Sequence, residues 1–116
     1  MNIRCQDGHY VRSLSEKVID DYLFGKKIIH VYEKRVLNKN NGETYYPDFY
    51  LPYIGKGIYI EFFGFEDNEK YLATEEKKLK YYKSQGFDVI EVRKKHIECI
   101  DDYLELQIDK IIKKYM

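Results

Sequence analysis

Two acids stand in apolar stretches that read as strands: Asp48 in Pro47-Asp48-Phe49 and Glu61 in Ile60-Glu61-Phe62. Burying a carboxylate costs on the order of several kcal/mol unless it is paired or bound to a cation. The segment between them, Pro52-Tyr53-Ile54-Gly55-Lys56-Gly57, reads as a hairpin loop. A loop of Tyr53 to Lys56 pairs Pro52 with Gly57 and sets Asp48 opposite Glu61. Directly opposed residues place their Cβ atoms about 5 Å apart on one face. Two like charges there repel unless a positive charge lies between them. A divalent cation with oxygen ligands meets that need, and Mg²⁺ typically takes one or two carboxylates plus phosphate oxygens from a substrate.

Other chemistry-bearing residues are sparser. His96-x-x-Cys99 has a metal-like spacing but lacks two further ligands, so no zinc site is expected there. His9 and His30 stand singly and read as packing or surface residues. Cys5 and Cys99 form no CxxC, which excludes a disulfide scaffold and a four-cysteine zinc site. Lone thiols suit a reducing compartment, and the start of the chain shows no apolar leader, so a cytoplasmic location is expected. No apolar run approaches the roughly 20 residues of a membrane span. Lys plus Arg and Asp plus Glu are 20 each, for a formal net charge of zero. That argues against a protein that coats polyanions generally, while leaving local clusters of charge open.

The elements that must position these residues follow from patterning. Ser13-Leu14-Ser15-Glu16 is a capping box. Apolar residues at Val11, Leu14, Val18, Ile19 and Tyr22 then form a helical stripe ending near Gly25. Lys27 to Tyr32 reads as a strand, 38–42 as a turn, and Tyr45 to Leu51 as a second strand with Pro47 near its start. Gly57 to Gly64 is the most apolar strand and is expected at the centre of the sheet. Asp67 or Asn68 caps a helix to about Gln85, with Gly86 as its stop. Phe87 to Val92 is a fourth strand, Arg93-Lys94-Lys95 a basic turn, and Ile97 to Lys114 a last helix with one apolar face. The order is α-β-β-β-α-β-α, a mixed sheet flanked by helices in a single α/β domain over 1–116.

Pro47-Asp48 followed by Glu61 after a short hairpin, within this order, resembles the PD-(D/E)XK nuclease superfamily over nearly the whole chain. The resemblance implies a restriction-endonuclease-like α-β-β-β-α-β core with an added C-terminal helix. It implies Mg²⁺ or Mn²⁺ held by Asp48, Glu61 and the Phe62 carbonyl, and hydrolysis of phosphodiester bonds in DNA. The family's usual lysine, two residues after the glutamate, is replaced here by Phe63. Glu61-Phe62-Phe63-Gly64 instead resembles the branch with Glu-x-x-Gly, whose lysine has moved to the following helix. Lys78, four residues before Tyr82, matches that branch's spacing, and Lys77 is the runner-up. Tyr71, Glu75, Lys78 and Tyr82 fall on one line of that helix.

Arg12-Ser13-x-x-Glu16 resembles the opening of the family's first helix, whose glutamate reaches the metal directly or through water. Glu16 is equally the N3 glutamate of a capping box. Tyr32-Glu33 resembles a pair common in the branch, with a role in packing and pairing. Arg12, Lys77, Lys80, Arg93 and Lys94 are the expected phosphate contacts. Specificity is expected from loops, from a homodimer, with Tyr53 or Tyr103 as interface residues, or from a larger complex. The alternative is a non-catalytic nucleic-acid-binding or assembly domain on the same fold.

Overall fold

Ser13 opens the first helix as its spacing predicts, its hydroxyl accepting the Glu16 N–H at 3.1 Å. The computed structural model describes residues 2–64 and 67–116. Before this helix lies a small hairpin of β1 (Ile3–Arg4) and β2 (Tyr10–Val11). Helix α1 (Leu14–Gly25) buries Ile19, Tyr22 and Leu23. Leu14, assigned above to the apolar stripe, is 69% exposed and does not join the core.

The helix ends at Gly25 as expected, but the residue that closes it lies two positions further on. Lys27 takes the left-handed conformation at φ 58°, its N–H bonds to the Phe24 carbonyl, and the Ile28 N–H bonds to the Leu23 carbonyl. Those two bonds are a Schellman closure with lysine where glycine is usual. The closure occupies residues 26–28, so the strand expected over Lys27 to Tyr32 is reduced to β3 (Val31–Tyr32).

A second hairpin follows, β4 (Val36–Leu37) with β5 (Thr44–Tyr45), around the predicted turn. The strand expected over Tyr45 to Leu51 is therefore two pieces, β5 and β6 (Phe49–Leu51). Pro47 has no N–H to donate, and the chain bends at Asp48, whose carbonyl accepts the Glu33 N–H at 3.0 Å.

Strands β6 and β7 (Ile58–Phe63) pair antiparallel in the expected register, Phe49 with Ile60 and Leu51 with Ile58. Gly57 closes the loop at φ 92°, where an added Cβ would overlap the Tyr50 ring. Helix α2 (Glu69–Ser84) is capped by Asn68, whose side chain accepts the Tyr71 N–H at 3.0 Å. Gly86 then turns the chain into β8 (Asp88–Arg93), parallel to β7.

The predicted basic turn is the end of β8 plus a single helical turn, α3 (Lys94–Ile97). The last helix is thus split. It restarts as α4 (Ile100–Lys114), with the Cys99 N–H bonded to the His96 carbonyl at the break.

The result is mixed α/β. A four-stranded sheet runs β3-β6-β7-β8, antiparallel except for the β7–β8 pair, with β7 interior as expected. Alternation along β7 divides the core. Ile58 and Ile60 pack with Ile19 and Leu23 of α1 and Leu104 of α4. Tyr59 and Phe63 pack with Leu79 and Tyr82 of α2 and with Val36 and Tyr45 of the β4–β5 hairpin. Among the described residues, no helix is long and apolar enough to cross a membrane.

Candidate active site

Glu61 belongs to the β7 face that carries Tyr59 and Phe63, and it is 2% exposed. Its Oε1 accepts the Tyr82 hydroxyl at 3.3 Å. Asp48 stands at the bend before β6, half-buried, and its Oδ2 accepts the Phe62 N–H at 2.6 Å. The hairpin register and this bond bring Asp48 and Glu61 to neighbouring stretches of backbone and into one hollow.

Helix α2 contributes one line of side chains to the same place. Tyr71 donates its hydroxyl to the Phe62 carbonyl at 3.1 Å and accepts the Gly64 N–H at 3.3 Å. Lys78 Nζ donates to Glu75 Oε1 at 3.0 Å. Glu75 is 5% exposed, and its Oε2 is buried with no hydrogen-bond partner.

From the other side, α1 presents its N-terminus. Glu16 Oε1 accepts the Ser13 hydroxyl at 3.0 Å and the Arg12 N–H at 3.2 Å, and Oε2 accepts the Tyr32 hydroxyl at 2.9 Å. Glu16 thus braces the start of α1 through the Ser13 hydroxyl and the Arg12 N–H rather than the Ser13 N–H that a capping box uses, and it also lines the cleft. Arg12 forms an ion pair with Glu33, a residue held at φ 56°.

The cleft consists of two adjoining hollows of about 450 and 330 Å³ that share Arg12, Asp48, Phe62 and Tyr71. Glu16 and Lys94 line the first, and Glu61, Glu75 and Lys78 the second.

Charge in this cleft is unbalanced. Burial pushes the Asp48 carboxyl above its ordinary value; the Phe62 N–H opposes that, while Glu16 and Glu75 add to it. Burial pushes Glu61 up as well, reinforced by Asp48 and Glu75. Burial works against the Lys78 ammonium, but Glu61, Glu75 and Asp48 outweigh it and hold the amine above its ordinary value. Four acids face one buried-side lysine, so the site favours either protons or a cation.

The donor set suits a hard divalent cation: carboxylate oxygens, a backbone carbonyl and an orphaned buried oxygen on Glu75. The Phe62 carbonyl already accepts from Tyr71, which leaves it one further lone pair. Glu16, Asp48, Glu61 and Glu75 do not supply three ligand atoms all within 4.8 Å of one another. That geometry suits a pair of carboxylates rather than a converging trio.

Several expected phosphate contacts lie elsewhere. Lys77 is exposed and pairs with Glu43 of the β4–β5 loop at 2.8 Å. Lys80 and Arg93 line a separate shallow groove beside Phe63 and Leu79. The Arg93 guanidinium lies 4.1 Å over the Phe63 ring and donates to Glu91 at 3.3 Å. Phe63 is 1% exposed and packs into the α2 core, so the family's lysine position is here a core position. Among the expected contacts, Arg12 and Lys94 line the cleft.

Tyr71, Glu75 and Tyr82 lie on the helical line that the sequence shows, although the chemistry expected of that line falls on Lys78 alone. The added signal was chemical: a hydroxyl or carboxylate on the line that carries the lysine must meet the same polar end of the sheet. Comparison with protein-family models, with curated proteins and with solved structures gives no match.

Proposed function

We propose that the chain is a metal-dependent DNA endonuclease of PD-(D/E)XK type, with a restriction-endonuclease-like core. The carrying observation is the pair Asp48 and Glu61, in one hollow of the cleft, both pushed up by burial and faced by Lys78. The element sequence supports the reading: α1, then antiparallel β3, β6 and β7, then α2 and parallel β8.

Asp48, Glu61 and the Phe62 carbonyl would hold Mg²⁺ or Mn²⁺, with Glu16 reaching it directly or through water. When bound, such an ion polarises the scissile phosphate and lowers the pKa of its water. Lys78 stabilises negative charge on the phosphate or orients the attacking water. The water oxygen bonds to phosphorus as its proton passes to solvent, the bridging P–O bond breaks, and the departing oxygen takes a proton from solvent. Glu75 keeps the ammonium charged and fixes its position. Tyr71 and Tyr82 fix the Phe62 carbonyl and the Glu61 carboxylate. Arg12 and Lys94, at the rim, receive flanking phosphates.

The test is cleavage of labelled duplex, single-stranded and branched DNA with Mg²⁺ or Mn²⁺, against Asp48→Asn and Glu61→Gln. Metal-dependent cutting lost in both variants supports the reading. DNA binding without cutting would point to the non-catalytic alternative.

A further inference from the structure

Outside the cleft, four side chains converge with metal-ligand chemistry. Asp7 and His9 come from the turn between β1 and β2, Asp20 from the middle of α1, and His30 from the segment before β3. Their ligand atoms all lie within 4.8 Å of one another. His9 Nδ1 is 2.9 Å from Asp7 Oδ2 and 3.1 Å from Asp20 Oδ2. His30 Nε2 is 3.0 Å from Asp7 Oδ2 and 3.2 Å from Asp20 Oδ2. A tetrahedral ion with N and O ligands at about 2.0–2.1 Å separates them by roughly 3.3 Å. These four nitrogen–oxygen separations need to open by only a few tenths of an ångström.

The protons of the cluster make the same point. His30 Nδ1 lies 2.8 Å from the Ile28 carbonyl, which can only accept, so Nδ1 carries a hydrogen. In the neutral ring, Nε2 then turns a lone pair toward two carboxylate oxygens. Three lone-pair atoms in contact require a proton or a cation among them. The side chains of Asp20 and His30 are 0% and 5% exposed, so water does not screen them.

A separate observation is Asp20 Oδ1, buried with no hydrogen-bond partner. A carboxylate chelating an ion through both oxygens removes that orphan. The outer contacts typical of metal ligands are otherwise in place. The Ile28 carbonyl orients His30, and the His9 N–H donates to Asp7 Oδ1 at 2.9 Å.

We propose that Asp7, His9, Asp20 and His30 form a structural Zn²⁺ site distinct from the cleft. Two carboxylates and two neutral imidazoles balance the dication, and mixed imidazole–carboxylate ligands favour zinc over Mg²⁺. The ion ties the β1–β2 turn to α1 and to the approach to β3. That turn leads directly into Arg12 and Ser13, the residues that open α1 at the cleft. A proton is the competing occupant: burial opposes it, but Asp20 and the Ile28 carbonyl push His30 up to about 9.

The full chain, stripped with chelator and dialysed into excess Mg²⁺, is titrated with Zn²⁺ while bound metal and melting temperature are followed. One Zn²⁺ per chain and a rise in melting temperature are expected. Co²⁺ in its place should give the visible absorption of a four- or five-coordinate site, according to whether Asp20 binds through one oxygen or two, displaced by Zn²⁺. His9, with a side chain 44% exposed, is the ligand whose loss least disturbs packing. His9→Ala should weaken Zn²⁺ by more than the roughly 10- to 100-fold that loss of an outer-shell partner costs. Asp48→Asn and Cys5→Ser should leave it unchanged. Stoichiometric Zn²⁺ refused by the wild-type chain overturns the site. So does binding that survives His9→Ala, or binding lost with Asp48→Asn or Cys5→Ser.

Discussion

The Asp48 carboxylate takes the place of a backbone carbonyl beside Phe62, accepting its N–H at 2.6 Å. The bend at Pro47-Asp48 ends the β6 ladder, and the side chain satisfies the β7 donor that the bend would leave unpaired. One residue thus finishes the sheet and lines both hollows of the cleft.

That double role separates two substitutions. Asp48→Asn keeps an oxygen that can accept from Phe62 and removes only the charge. Asp48→Ala leaves a partly buried N–H unsatisfied, at a cost of about 1–3 kcal/mol. Urea melts should therefore show Asn near wild type and Ala clearly destabilised, with cleavage lost in both. Equal destabilisation by the two would remove the structural half of the argument.

The raised carboxyls also predict a pH dependence. An acid whose folded pKa lies above its unfolded value stabilises the fold below the unfolded value, and that stability is lost as pH rises. Glu61 departs upward from 4.5 and Asp48 from 3.8. In chelator, melting temperature should fall as pH rises from about 4 through about 10, the value to which Glu61 is raised, and Mg²⁺ should flatten the fall by neutralising the ionised pair. His30, raised to about 9, contributes in the same direction, so the cleft's share is the part that Glu61→Gln removes. A pH slope unchanged in Glu61→Gln would show that Glu61 is not held protonated.

The hairpin register was legible because a short loop between two apolar runs leaves few pairings, and Phe49 meets Ile60 as expected. The helical line Tyr71-Glu75-Lys78-Tyr82 was legible because 3.6-residue periodicity is local. What was not legible depends on closure in three dimensions. His9 and His30 read as isolated histidines because the spacing of 7, 9, 20 and 30 carries no pattern; the turn, α1 and the approach to β3 have to meet first. Tyr103, one expected interface residue, is stacked on His96 at 3.7 Å and bonded to the Glu91 carbonyl within the chain. The β4–β5 hairpin was concealed inside a turn and a strand, each read correctly in part. The end of α1 at Gly25 was legible, but the left-handed closure at Lys27 was not, because lysine gives no signal for that conformation.

That closure gives a clean stability test. Lys27 is exposed at φ 58°, a conformation that costs a non-glycine residue roughly 1 kcal/mol. Gly25 has no positive φ, and an added Cβ there meets nothing within 4 Å. Lys27→Gly should stabilise by about 0.5–1 kcal/mol and Gly25→Ala by a similar amount. The sites are near neighbours, so the double variant need not be additive. Destabilisation by Lys27→Gly would mean the Schellman closure is not the helix end in solution.

Lys78 carries the sharpest prediction about chemistry, because its neighbours distinguish it from the other lysines of α2. Its side chain is 19% exposed, and Glu75 holds it at 3.0 Å within a cleft that also contains Glu61 and Asp48. Lys77 is spent on Glu43, and Lys80 lies beside the separate groove under Arg93. Removing one preorganised electrostatic group typically costs about 10²- to 10³-fold in rate. Single-turnover cleavage should fall by that much in Lys78→Ala and stay within about twofold of wild type in Lys77→Ala and Lys80→Ala. Lys78→Ala also leaves Glu75 without its cation, so instability alone could mimic the effect. Lys78→Ala combined with Glu75→Gln removes that buried charge and should recover stability without recovering rate. Rate restored along with stability in the double variant would make Lys78 a packing partner of Glu75, and the amine at the reacting phosphate would have to come from Arg12 or Lys94 at the cleft's rim.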